Sequence, residues 1–191
     1  MTAEPAGHVM WTPDPITQRL AAYTVEDVLS LPDDAPRVEL RDGVMIVVPS
    51  PTYAHQDICG LLWSWLRQHS PERYRASLAT GVLLSVEDTF EPDVLLVDAN
   101  VPLTRHYAKA EQVTLAVEVV SPGTRKRDRL EKPAEYADAG IPHYWRIEQN
   151  PVHVFAYDLG KKGYELVADS ADELVLSAPF EIRLPISEIT P

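Results

Sequence analysis

Val113-Thr114-Leu115-Ala116-Val117-Glu118-Val119-Val120 is a short, β-branched run with a single charged residue, Glu118, near its end. A strand with one wet face alternates apolar and polar residues. A continuous apolar run of this length instead reads as a central strand covered on both faces. Pro92-Asp93-Val94-Leu95-Leu96-Val97 has the same character. Two such strands put a sheet at the centre of the fold, with other elements layered on each side. The first run ends in turn chemistry, Ser121-Pro122-Gly123-Thr124, followed by a helical pattern from about Arg125 to Ala139 that Gly140 closes. Pro133 conflicts with that helix, because an interior proline removes a hydrogen bond and should kink or restart it.

Working outward, Ile58, Leu61, Leu62, Trp65 and Leu66 recur at the spacing of one buried helical face, predicting a helix over Tyr53 to His69. Thr24 ahead of Glu26 and Asp27 resembles an N-cap, with a short helix running to Leu29 and stopped by Pro32. Asp42-Gly43 between Val38–Arg41 and Val44–Val48 signals a hairpin. Arg75 to Glu87, broken by Gly81, reads as a strand pair or one bent strand. His143–Ile147, Val152–Tyr157, Tyr164–Val167 and Phe180–Arg183 read as further strands. This order implies an α/β or α+β domain built on a mixed twisted sheet with flanking helices.

With 191 residues, 45% apolar and 24% charged, the chain is long enough for one sizeable core and too apolar for a disordered protein. Residues 1–22 lack periodicity and read as an N-terminal arm, leaving 23–191 as a single domain. One cysteine excludes an internal disulfide and a cysteine-based zinc cage. Neither a signal-peptide pattern nor an apolar run near the roughly 20 residues of a membrane span is present, so the expected location is cytoplasmic. The net charge of −12 provides no global attraction to nucleic acid or anionic membranes. Locally the sign reverses: residues 125–132 hold five cations against two acids, a segment suited to phosphate.

The informative residues are acids where the pattern demands apolar side chains. Glu118 in its apolar strand needs a proton, a cation or a metal, because a buried unpaired carboxylate costs several kcal/mol. Asp93 stands at the mouth of the other apolar strand. Two carboxylates converging there repel, and a divalent cation keeps both ionised. Mg²⁺ accepts one or two carboxylates and favours phosphate oxygens, which points to phosphodiester hydrolysis. In a helix, Asp128, Lys132 and Tyr136 share a face, with Leu130, Ala134 and Ala137 as an apolar stripe on another. Lys132 would then reach back toward the strand end that carries Glu118.

Glu39-Leu40 before Asp42-Gly43, Ser50-Pro51, His55, Pro92-Asp93, Glu118-Val119-Val120-Ser121-Pro122, Asp128, Lys132, Tyr136, Gly140-Ile141-Pro142 and Tyr144-Trp145 occur in that order. From about Leu40 to Glu148 the chain resembles the Uma-two restriction endonuclease family, of the PD-(D/E)XK nuclease superfamily. The resemblance implies a restriction-endonuclease-like core and Mg²⁺- or Mn²⁺-dependent cleavage of DNA. It implies that Asp93 and Glu118 bind metal together with the Val120 carbonyl, and that Glu39 is an additional upstream acid. The superfamily's lysine belongs two residues after Glu118, where this chain has Val120. Lys132 is the expected substitute. A nuclease that cuts both strands would commonly act as a homodimer.

Each residue also has a plainer reading. Glu118 could pair with Lys132 or Arg125, Glu39 could face solvent, and the basic run could be a solvated helix face. Tyr136, Trp63, Trp65, Tyr144 and Trp145 read as packing groups, Cys59 as a core residue, and His55 as a half-buried histidine rather than a general base. The rival functions are a catalytically inactive module that keeps the fold for binding or regulation, and hydrolysis of a smaller phosphorylated substrate.

Overall fold

The computed structural model describes residues 22–32, 34–121 and 127–191. The N-terminal arm except Ala22, together with Arg125 and Lys126 of the basic segment, lies outside them. In chain order the elements begin with α1 (Val25–Leu29), β1 (Val38–Arg41), β2 (Val44–Val47), α2 (Tyr53–His69), β3 (Tyr74–Leu78), β4 (Gly81–Leu83), β5 (Thr89–Phe90) and β6 (Val94–Asp98). They continue with β7 (Tyr107–Lys109), β8 (Val113–Val119), α3 (Lys132–Asp138), β9 (His143–Gln149), β10 (Val152–Gly160), β11 (Gly163–Ser170), β12 (Glu173–Leu176) and β13 (Ile182–Pro185). They fall into two compact units, residues 1–49 with 85–89, and 50–84 with 90–191.

In the first unit β1 and β2 form the expected hairpin, Arg41 opposite Val44. Asp42 and Gly43 both take positive φ, 48° and 69°, as a two-residue turn matched to strand twist requires. The turn is pinned by the Asp42 N–H donating to Asp88 Oδ1 at 2.7 Å and the Gly43 N–H donating to the Glu87 carbonyl at 3.0 Å. Thr24 donates to Asp27 Oδ2 from its N–H at 2.7 Å and its hydroxyl at 2.9 Å, fixing the start of α1.

The second unit is built on a six-stranded sheet in the order β11-β10-β9-β8-β6-β3. It is mixed: β8 and β9 run parallel, and the other neighbours are antiparallel. One face carries Leu115, Val117 and Val119 of β8 into a core with α2, the β12–β13 ribbon and the C-terminal Ile186 and Ile189. The opposite face carries Ala116 into a second core with Val82, Phe90, Tyr136 and Tyr144. Cover on both sides is why β8 is an apolar run. Trp145 and Tyr144, adjacent on β9, enter opposite cores.

α2 is capped by the Thr52 hydroxyl, which accepts from the His55 N–H at 3.3 Å. Its buried face is His55, Ile58, Cys59, Leu62, Trp65 and Leu66. Leu61, expected in that face, is 38% exposed, because the stripe is centred on the 55–59–62–66 line. The candidate helix over 125–139 is also revised. Arg127–Glu131 is wound as a π turn, and α3 begins at Lys132 with Pro133 in its first turn, where a missing N–H costs nothing. Gly140 follows α3 at φ +79°, the conformation of a helix-terminating glycine. The predicted stripe of Leu130, Ala134 and Ala137 is not the packed face: Leu130 is 66% exposed, whereas Lys132 and Tyr136 are buried. The reason is what lies beneath the helix, an acid that calls for donors.

Candidate active site

Glu118 sits one residue from the C-terminal end of β8 and is 2% exposed. Its Oε1 accepts from Lys132 Nζ at 2.9 Å and from the Tyr136 hydroxyl at 2.7 Å. Lys132 and Tyr136 are one turn apart on α3, so both reach the same oxygen. The ammonium also lies 5.8 Å from the centre of the Phe90 ring. A carboxylate taken from water on the apolar side of a sheet is thus held by one full charge and one neutral donor, the arrangement that makes a buried ion tolerable.

Asp93 stands one residue before β6. Val94 is registered with Val117, so the next step along the antiparallel pair sets Asp93 across from Glu118. Its side chain takes the place of a strand neighbour: Oδ2 accepts the Val119 N–H at 2.8 Å. Oδ1 lies 3.1 Å from His55 Nε2. Among the described residues His55 Nδ1 is buried with no hydrogen-bond partner, so Nε2 is the ring nitrogen that engages Asp93. Cys59 is one turn further along α2. Among the described residues, His55, Cys59 and Asp93 form a set whose ligand atoms all lie within 4.8 Å of one another.

The Val120 side chain is buried. Its N–H donates to the Ile147 carbonyl at 2.8 Å, and its own carbonyl accepts from Gln149 Nε2 at 2.8 Å. Glu39, the expected additional upstream acid, is a buried residue of β1, opposite Ile46, in the first unit; the alternative of a solvent-facing glutamate does not hold. Arg129, in the turn before α3, engages Oε1 of Glu148 on β9 through Nη2 at 2.8 Å and Nε at 3.0 Å.

The structure therefore joins Glu118 to Lys132 and Tyr136, and Asp93 to His55 and the backbone of β8. The sequence reads Tyr136 as a packing group and His55 as a half-buried histidine rather than a general base. The i, i+4 spacing of Lys132 and Tyr136 was the available sign of a shared target. No local pattern links His55 to Asp93.

Among the described residues no helix is long and apolar enough to cross a membrane. The fold is similar to that of a crystal structure described as "a putative nuclease belonging to DUF820 from Anabaena variabilis ATCC 29413". The TM-score is 0.69, at 22% sequence identity over 87% of this chain and 96% of that one. The likeness is one of fold, a mixed α/β architecture of the restriction-endonuclease-like class. No functionally curated protein matches the sequence. The model of the Uma2 family, described as "Putative restriction endonuclease", matches residues 25–187, and the chain belongs to that family.

Proposed function

We propose that the protein is a divalent-metal-dependent endonuclease that hydrolyses DNA phosphodiester bonds, with Asp93, Glu118 and Lys132 at its centre. The observation that carries this reading is the buried contact of Lys132 Nζ with Glu118 at 2.9 Å. It supplies from α3 the cation that Val120 does not supply from β8.

The oxygen donors of Asp93, Glu118 and the Val120 carbonyl suit Mg²⁺ or Mn²⁺, which prefer hard ligands. Among the described residues each Asp93 oxygen and the Val120 carbonyl carries one hydrogen bond, which leaves a lone pair that a cation could take on each. A bound divalent ion would lower the pKa of a water and stabilise charge on the phosphoryl oxygens. The chain's own groups then have distinct tasks. The Val119 N–H and His55 fix the Asp93 carboxylate, and Gln149 orients the Val120 carbonyl. Lys132 donates to Glu118 in the resting state and would donate to an attacking water or to an oxygen gaining charge. Arg127 and Arg129 precede it on the same segment and carry positive charge toward a phosphate backbone.

The valine at position 120 favours one alternative, a non-catalytic module that retains the fold for binding. Nicking of supercoiled plasmid with Mg²⁺ or Mn²⁺ decides between them. Nicking should fall at least about a hundredfold in Glu118→Gln and Lys132→Met, in protein shown by circular dichroism to be folded. Calorimetric titration with Mn²⁺ should give binding in the wild type that Asp93→Asn with Glu118→Gln abolishes. A wild type that neither nicks DNA nor binds Mn²⁺ overturns the proposal.

A further inference from the structure

α3 does more than deliver Lys132. Ala134 and Ala137 of the same helix line a separate cavity of about 340 Å³ in the second unit. Its walls include Tyr144, Tyr157 and Tyr164, and its charged lining includes Arg129, Arg146 and Lys162. The tyrosines form one aromatic surface: Tyr144 lies 5.5 Å from Tyr164 at 29° between ring planes, and 5.8 Å from Tyr157 at 32°. Tyr164 is fixed by donating to the Ile141 carbonyl at 2.7 Å, and burial pushes its phenol pKa up, so it stays neutral.

The cations are incompletely matched. Arg129 already holds Glu148 Oε1, and Arg146 shares that oxygen only at 3.4 Å. At that separation the contact counts as a charge pair, but among the described residues the buried Arg146 Nε has no hydrogen-bond acceptor. Among the described residues the lining holds three cations and one carboxylate, Asp138, and even with Glu148 counted the positive charge is in excess in a chain of net −12. The small side chains of Ala134, Ala137 and Gly163 in the lining leave the volume unfilled.

Planar π-faces beside guanidinium and ammonium groups are the chemistry that recognises a nucleobase joined to a phosphate. The volume lies at the lower end of small-molecule sites, about the size of one nucleotide. We infer that this cavity binds a nucleoside 5′-phosphate, its base against the tyrosines and its phosphate among Arg129, Arg146 and Lys162. The nuclease reading supplies the ligand class, so the inference rests on it in that respect. The cavity is lined by none of Asp93, Glu118 and Lys132, and binding there requires no metal.

The test is calorimetric titration of the full chain in EDTA with deoxyadenosine 5′-phosphate, deoxyadenosine, inorganic phosphate and a ten-nucleotide single strand lacking a terminal phosphate. Deoxyadenosine 5′-phosphate should bind at least about tenfold more tightly than deoxyadenosine or phosphate alone. Stronger binding of the mononucleotide than of the strand identifies a free nucleotide as the source, and the reverse order identifies a nucleotide within a strand. Arg129→Ala with Lys162→Ala should weaken binding at least about tenfold. Ala137→Leu, which fills the cavity and leaves its charges in place, should do the same. No binding of the mononucleotide by wild type, or unchanged binding in both variants, overturns the inference. Glu118→Gln should bind the mononucleotide normally. Nucleotide binding without nicking would remove the nuclease reading alone, and nicking without nucleotide binding would remove this site alone.

Discussion

Replacing Lys132 by methionine keeps the bulk of the side chain and removes its charge. In the folded protein the side chains of Lys132 and Glu118 are 8% and 3% exposed, so the carboxylate that loses its lysine cannot recover its hydration. Breaking a buried pair from one side costs about 3–5 kcal/mol. The remaining Tyr136 hydroxyl, a hydrogen bond to a charged group worth about 1.5–3 kcal/mol, keeps the loss toward the lower end of that range. Against a typical domain stability of about 5–15 kcal/mol, that is a large fraction. Glu118→Leu alone removes the carboxylate that Lys132 pairs with and should also destabilise. Glu118→Leu with Lys132→Met leaves neither charge, and its stability should lie within about 1–2 kcal/mol of wild type or above it. The two single losses should therefore exceed the double loss by at least about 2 kcal/mol. Urea unfolding at neutral pH, followed by the fluorescence of the buried Trp65 and Trp145, measures all four proteins. If Lys132→Met costs less than about 1 kcal/mol, or the single effects simply add, the pair is not a desolvated ion pair and the reasoning fails.

A methyl group at Gly81 would meet carbons of the Tyr107 ring at 2.2 Å, so Gly81→Ala should lower stability by about 1–3 kcal/mol. The same change at Gly160 meets only the mobile end of Glu165, at 2.4 Å from Oε1. Thermal melts should therefore separate the two variants, and equal melting temperatures would contradict the packing described. Tyr164 has a folded-state pKa raised by burial above its ordinary value of 10.0, so folding favours its neutral form. That contribution is intact below pH 10 and is lost as pH rises, because the unfolded chain ionises first. Melting temperature should therefore drop more steeply above pH 10 in wild type than in Tyr164→Phe; parallel curves would refute the assignment.

The parts of this fold legible in the sequence are those whose environment is uniform. β6 and β8 announce themselves because both faces are covered, and the Asp42-Gly43 turn because few residues tolerate its backbone. α2 was legible in extent but not in its exact face: His55 and Cys59 replace Leu61, a rotation that one turn of polar capping residues conceals. β5, β7 and β12 have two to four residues each, too few for periodicity to register. The conflict at Pro133 was visible, but its resolution by a wide turn ahead of Lys132 depends on where Glu118 lies beneath the helix. At the candidate site, the need of Glu118 for a partner followed from its apolar surroundings, and Lys132 was among the partners named. The bonds of Asp93 to His55 and to the Val119 N–H span 38 and 26 residues of chain, and only the assembled sheet brings them together.

The seating of α3 has a dynamic consequence. The acid belongs to the most enclosed strand of the sheet, whereas its counter-charge rides on a seven-residue helix entered through a loosely wound turn. Lifting that helix even briefly separates the two charges and lets water in above the strand. Amide protons of α3 should thus exchange together, as one latch, and their opening rate sets how often the sheet's carboxylate stands bare.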